Sequence, residues 1–193
     1  MYKAIVNKYI KDVNSGKVLV CEWVKLAIKR HEQDLLREDI YFDENAATKF
    51  LKFSALCKYT KGELASQGKN IELTPQQVFR YWVLMGWHNS NGKRRFRKVY
   101  FEVARKNGKS EEAAILCAYL LLFDKEFGAE IYTAATSYKQ ARLVFDAARE
   151  IIKKLSADSE KVKALVTLGK FNVAIIETNS KLEPISSNDD KQD

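Results

Sequence analysis

The apolar positions near the start of the chain have helical spacing. After a turn at residues 14–16, intervals of three or four residues connect Val20, Trp23, Val24, Ala27, Ile28 and His31. This pattern predicts an amphipathic helix, on which a histidine is more typical of the core than of a ligand site. A second helix is predicted to begin at Asp43, because aspartate is a favoured N-cap residue. We therefore interpret residues 1–65 as a small helical region.

The sequence TPQQ at residues 74–77 predicts the start of a third helix. Thr74 suits the N-cap, and Pro75 suits the first helical position because its missing N–H group is not needed there. Gln77 stands where the side chain of a capping box reaches back to the N-cap backbone. Apolar residues then continue to about residue 87, so we expect a helix of roughly three turns.

The spacing changes in the second half of the chain. Residues 97–103 are rich in β-branched and aromatic side chains and predict a buried strand, and residues 109–123 predict a helix that is apolar almost all round. A strand at residues 129–136 and a helix capped by Ser137 follow. Further strands are predicted at residues 164–168, 172–178 and 181–186. This alternation indicates an α/β fold, with a parallel sheet and crossover helices over residues 66–193.

Charge changes this picture by pointing to an anionic partner. The net charge is +8 and the isoelectric point is about 9.3. Eight Lys or Arg residues and one acid lie between Lys93 and Lys109. Such clustering favours nucleic acid over a membrane surface. The longest apolar run, residues 113–123, is too short to span a bilayer, and residues 1–10 lack the apolar core of a secretory signal. We therefore expect a soluble, intracellular protein.

The candidate chemistry lies at Val103–Ser110, between the predicted strand and the predicted apolar helix. A phosphate-binding loop needs inward-facing backbone N–H groups, a helix N-terminus, a lysine for the β- and γ-phosphates and a hydroxyl for Mg²⁺. Gly108, Lys109 and Ser110 supply the last glycine, the lysine and the hydroxyl. Val103 occupies the place of the usual first glycine. The alternative interpretation of this segment is a basic turn before a capped helix.

Several blocks of the sequence resemble the large terminase subunits of tailed phages. They cover nearly the whole chain and read SGKVLVCEWVKLAIKRHEQDL, YFDENAATKFLKF, GKRRFRKVYFEVARKNGKS and AEIYTAATSYKQARLVFDAAREI. In that family the phosphate loop lacks the first glycine and carries an arginine before the Gly-Lys-Ser, as Arg105 does here. The resemblance implies an incomplete P-loop NTPase fold that follows a small helical region.

The resemblance also implies roles for individual residues. Lys109 would bind the β- and γ-phosphates, Ser110 would ligate Mg²⁺, and Arg105 would face the γ-phosphate as a sensor or charge stabiliser. Lys106 would be an auxiliary phosphate contact or a solvated loop lysine, and the loop would be completed by Asn107 and Gly108. Gln77 stands where such ATPases have an adenine-reading glutamine, although Gln76 replaces the aromatic residue that usually precedes it. The capping role of Gln77 is an equal alternative, and one glutamine can serve both.

The activity implied by the resemblance is that of a motor. In the family, an N-terminal ATPase uses ATP and Mg²⁺ to pump double-stranded DNA into a preformed capsid, and a C-terminal nuclease cuts the DNA. Its partners are DNA, the small terminase subunit and the portal protein. The full-length motor is a homo-oligomer in the cytoplasm of the bacterial host. Two alternatives remain open: a small P-loop kinase, and a non-catalytic protein that binds nucleic acid through the basic cluster at residues 93–98.

An acidic strand end is not found after Ser110. A P-loop ATPase needs a carboxylate there to hold Mg²⁺ and another to activate water, but no run of four apolar residues precedes an Asp-Glu pair. The tail at residues 186–193 resembles the family segment just before that strand. We therefore interpret the chain as an N-terminal fragment, truncated in the gene or in the record.

This interpretation predicts that the 193-residue chain hydrolyses ATP at a negligible rate and does not cleave DNA. The reason is that nucleotide would be held without a carboxylate to activate the attacking water. Steady-state phosphate release is the measurement. Turnover that the substitution Lys109→Ala abolishes would contradict the prediction, whereas turnover that survives this substitution would come from a contaminant.

Overall fold

The computed structural model describes residues 1–124 and 126–187. Residues 188–193, which form most of the polar tail, lie outside the described part. Contacts divide the chain into a first unit of residues 1–55 and 72–101 and a second unit of residues 56–71 and 102–193. The expected division at residue 65 remains a prediction, and the two units distribute the residues differently.

Eight helices and six strands occur in the described part of the chain. The helices are α1 (Tyr2–Asn14), α2 (Glu22–Asp34), α3 (Glu44–Ser54), α4 (Gly62–Ser66), α5 (Pro75–Gly86), α6 (Lys109–Phe123), α7 (Tyr138–Asp158) and α8 (Glu160–Leu165). The strands are β1 (Ile40–Phe42), β2 (Trp87–Asn89), β3 (Glu130–Ala135), β4 (Thr167–Leu168), β5 (Val173–Ile175) and β6 (Ser180–Ser186). None of these helices is long and apolar enough to cross a membrane.

The first unit is a helical cluster with a two-stranded antiparallel sheet, β1–β2. Helix α5 packs against α1 and α3, and the ring of Phe50 stacks on that of Tyr81 at 4.5 Å between centroids. The Asp43 carboxylate accepts hydrogen bonds from two backbone N–H groups at the start of α3. The predicted helices α2, α3 and α5 are confirmed. Helix α1 was not predicted, although its buried residues Val6, Tyr9 and Val13 recur at helical spacing.

A buried histidine lies at the centre of this unit. The side chain of His31 is 4% exposed, and its Nδ1 accepts a hydrogen bond of 3.0 Å from Nε1 of Trp87. The rings of Phe42 and Phe79 meet it edge to face. Burial disfavours the charged imidazole and lowers the pKa of His31 to about 4. The prediction of a core histidine is therefore confirmed.

The second unit is built on a four-stranded sheet in the order β3-β6-β5-β4. Strands β3 and β6 are parallel, and α7 packs on both of them. The other two pairs are antiparallel. The α/β class is confirmed, but the sheet is mixed rather than wholly parallel. The physical reason is that only four residues separate β4 from β5 and β5 from β6, and such short connections join antiparallel neighbours.

Two predicted strands differ from the structure. Residues 97–103 form no ladder within the described part of the chain, so the predicted strand there is wrong. Tyr100 is 88% exposed and Val99 is 56% exposed, so the run is also not buried as a whole. Side-chain propensity favours a strand but cannot supply the neighbouring strand that a ladder needs. Farther along, α8 takes up part of the predicted strand 164–168.

The His31 pKa predicts acid-sensitive stability. The unfolded imidazole has a pKa near 6.5 and the folded one about 4, so below pH 6.5 the unfolded chain binds a proton that the folded chain excludes. The free energy of unfolding should therefore fall as the pH falls from 6.5 to 4, by about 3 kcal/mol from this residue. Urea unfolding across this window measures the effect. His31→Asn keeps an acceptor for Trp87 without titrating, so an equally steep pH dependence in that variant would contradict the assignment.

Candidate functional site

The candidate site begins with the backbone of residues 103–110 in the second unit. Lys106 and Gly108 both have positive φ, at 68° and 76°. Glycine adopts this left-handed conformation freely, whereas lysine rarely does. Gly108 is the N-cap of α6, and no side chain caps this helix end. The first N–H groups of a fifteen-residue helix therefore face the loop together with the positive end of the helix dipole, an arrangement that favours an anion.

Two hydrogen bonds close the loop. The Lys109 ammonium donates to the carbonyl oxygen of Val103 at 3.1 Å, and Asn107 Nδ2 donates to the carbonyl oxygen of Ala104 at 3.3 Å. The first bond holds the Lys109 ammonium across the start of the loop, beside the N-terminus of α6. A phosphate oxygen in this position could replace the Val103 carbonyl as the partner of the ammonium, because both are hydrogen-bond acceptors.

The remaining loop residues supply exposed charge and one hydroxyl. Arg105, Lys106 and Ser110 are all exposed. Within the described residues, no group of three His, Cys, Asp or Glu side chains could hold a metal ion. A Mg²⁺ ion here would therefore depend on Ser110, phosphate oxygens and water, which is a usual set of ligands for Mg²⁺ at nucleotides. These donors would suit a chain of phosphates, and Ser110 would be a single protein ligand for Mg²⁺.

Glu111, the next residue, makes a contact that the sequence did not reveal. One carboxylate oxygen accepts hydrogen bonds from the backbone N–H of Thr60 at 3.0 Å and from its hydroxyl at 3.2 Å. The helix dipole alone would favour an acid at this position in the first turn of α6. Since the partners are 51 positions apart in the sequence, no local spacing could have identified the pair. The contact joins the start of α6 to the segment before α4.

That segment, residues 57–61, is also held by α7. Lys154 Nζ donates to the carbonyl oxygen of Tyr59 at 2.7 Å, and Lys58 forms an ion pair of 2.5 Å with Asp158. Cys57 is fully buried, and burial, followed by the nearby Glu111 carboxylate, raises the pKa of its thiol to about 12. The thiol therefore stays protonated at neutral pH, and these contacts fix the segment on two helices.

Gln77 lies in the first unit, at the third residue of α5. The side-chain oxygen of Gln77 accepts a hydrogen bond of 2.7 Å from the backbone N–H of Thr74. The backbone N–H of Gln77 donates to the Thr74 hydroxyl at 3.4 Å. This is the predicted capping box, which is confirmed. The alternative role in reading adenine remains a prediction, because a nucleotide contact has not been tested.

The basic cluster at residues 93–98 is partly structural. Arg95 is paired with the buried carboxylate of Asp34 and lies 5.2 Å from the centre of the Phe96 ring. Arg30 also lies over the Phe96 ring, and Arg80 lies 3.8 Å from the centre of the Phe101 ring. The rings of Phe96 and Phe101 are therefore engaged inside the first unit, whereas Tyr100 is 88% exposed.

Comparisons with known proteins identify a family. The model of the family described as "Terminase large subunit, ATPase domain" matches residues 75–193. Among solved structures, the large terminase of bacteriophage HK97 matches with a TM-score of 0.58 and 20% sequence identity. The match covers 76% of this chain and 28% of that chain, so the present chain corresponds to little more than a quarter of its length. The likeness supports a P-loop NTPase fold. Curated proteins give no match.

Proposed function

The chain belongs to the family of terminase large subunit ATPase domains, and on that premise we propose that it is the ATP-binding part of a motor that packages double-stranded DNA into phage capsids. The observation that carries the proposal is the uncapped N-terminus of α6 with Lys109 folded across its loop. Backbone N–H groups, the helix dipole and an ammonium at one point suit a chain of phosphates. Family membership makes ATP the expected nucleotide.

The roles of the loop residues follow from this proposal. Lys109 binds the β- and γ-phosphates, with Arg105 and Lys106 as further cations near the γ-phosphate. Asn107 and Gly108 shape the backbone, and Ser110 ligates Mg²⁺. When bound, Mg²⁺ neutralises charge on the phosphates, a task for which this loop already provides several cations.

The same proposal includes the binding partners of the motor and its location in the cell. Double-stranded DNA, the small terminase subunit and the portal protein are its partners, and the full-length motor works as a homo-oligomer in the bacterial cytoplasm. The N-terminal helical region at residues 1–65 precedes an ATPase region at residues 66–193. A small P-loop kinase is less well supported, because the family match begins at residue 75 and includes the loop. Direct base stacking by Phe96 and Phe101 is disfavoured by their internal contacts.

The first test is nucleotide binding. Lys109→Ala should weaken the binding of Mg·ATP by about 10- to 100-fold, because a charge-assisted hydrogen bond to phosphate is lost. Titration of a fluorescent ATP analogue measures the dissociation constant. Lys153→Ala is the matched control, since it removes an exposed lysine of α7 whose partner is Glu150. The proposal fails if both variants bind as the unchanged chain does, or if none of the three proteins binds.

The second test separates the two roles of Gln77. Gln77→Glu keeps the oxygen that accepts from Thr74 and places an acid in the first turn of α5, where the helix dipole favours it. The substitution removes the amide donor that an adenine contact would use. If Gln77 reads adenine, the preference for ATP over GTP should fall about tenfold while the free energy of unfolding stays within about 0.5 kcal/mol. An unchanged nucleotide preference would leave capping as its role.

A further inference from the structure

We propose that Glu111 is a positioning residue that couples residues 57–61 to the phosphate loop, and this inference rests on the proposed function. The carboxylate stands one residue after Ser110, in the first turn of α6, and holds both donors of Thr60. In a capping box an acid at this position would reach back to the N-cap backbone. Here it reaches outward, so the start of α6 is attached to a distant segment.

The electrostatics explain why this arrangement matters. A carboxylate in the first turn is favourable for an isolated helix but repels a phosphate bound at the same N-terminus. The two hydrogen bonds from Thr60 engage one Glu111 carboxylate oxygen and disperse its charge over two donors. The residue therefore has two opposing effects on nucleotide binding: its charge weakens binding, and its contact with Thr60 strengthens binding by holding the end of α6 in place.

The rigidity of the partner segment supports this role. Tyr59 and Lys58, the neighbours of Thr60, are bonded to Lys154 and Asp158 near the C-terminal end of α7. Helix α7 in turn packs along α6. The Thr60 donors are thus presented from a segment that is fixed independently of the loop. Because coupling between two sites is reciprocal, a nucleotide that gains affinity from this contact also stabilises residues 57–61 by the same factor.

Two substitutions separate the effects. Glu111→Gln removes the charge but keeps an oxygen for Thr60, so Mg·ATP should bind as tightly as to the unchanged chain or more tightly. Glu111→Ala removes the charge and the contact, and binding should weaken about tenfold. Glu63→Ala is the matched control, because Glu63 is an exposed acid of α4 whose carboxylate accepts a hydrogen bond from Gln67, four residues along the chain. It should leave the dissociation constant within about twofold.

The coupling itself is read by amide hydrogen exchange. Mg·ATP should slow exchange at residues 57–61 in the unchanged chain and in Glu111→Gln, but not in Glu111→Ala. A merely structural role would change stability without this dependence on nucleotide. If Glu111→Ala does not fold, Thr60→Val replaces it, since it removes the hydroxyl donor and keeps the backbone N–H. Its binding should weaken about threefold.

The outcomes are distinct. If the unchanged chain binds Mg·ATP and Glu111→Ala, or Thr60→Val in its place, binds it equally tightly, only the positioning role is overturned. Equal weakening by Glu111→Gln and Glu111→Ala also overturns it, because the charge rather than the contact would then be responsible. Absence of Mg·ATP binding by the unchanged chain overturns the proposed function and this inference with it.

Discussion

The uncapped N-terminus of α6 is the constraint on which the site depends. Gly108 adopts a left-handed backbone conformation and brings no capping side chain, so the first N–H groups of the helix remain directed at the loop. The first N–H groups of a helix have no acceptor within the helix, and a phosphate chain supplies several acceptors in one ligand. A serine or aspartate at this position would satisfy a donor internally and compete with the ligand. The helix itself is held by α7 and the sheet.

Long-range contacts then determine how precisely this helix end is positioned. Glu111 connects it to Thr60, and Lys154 and Asp158 of α7 hold the residues next to Thr60. The start of α6 is thus connected, through residues 57–61, to α7 in the same unit. In the first unit a comparable part is played by His31, whose neutral ring connects Trp87 to the aromatic core. In both cases one polar side chain connects segments that lie far apart in the sequence.

The features that the sequence predicted well are local ones. The capping box of Thr74 and Gln77, the Asp43 cap and the apolar helix after Lys109 depend on residues a few positions apart. The ladder expected at residues 97–103 depends on a neighbouring strand, and the Thr60–Glu111 contact joins residues 51 positions apart. Spacing along the chain cannot reveal such partners. The start of α6 was predictable because a helix start and its loop are continuous in sequence, and family resemblance explained Val103. The nucleotide-binding roles of the loop residues stay predictions.

The most direct measurement of the central claim is an NMR titration that follows individual backbone amides. If the N-terminus of α6 holds the phosphates, Mg·ATP should shift the amide resonances of Gly108, Lys109 and Ser110 strongly, and adenosine without phosphates should leave them in place. Shifts that are absent from these three amides, or that adenosine reproduces, would contradict the account and place any nucleotide elsewhere on the chain.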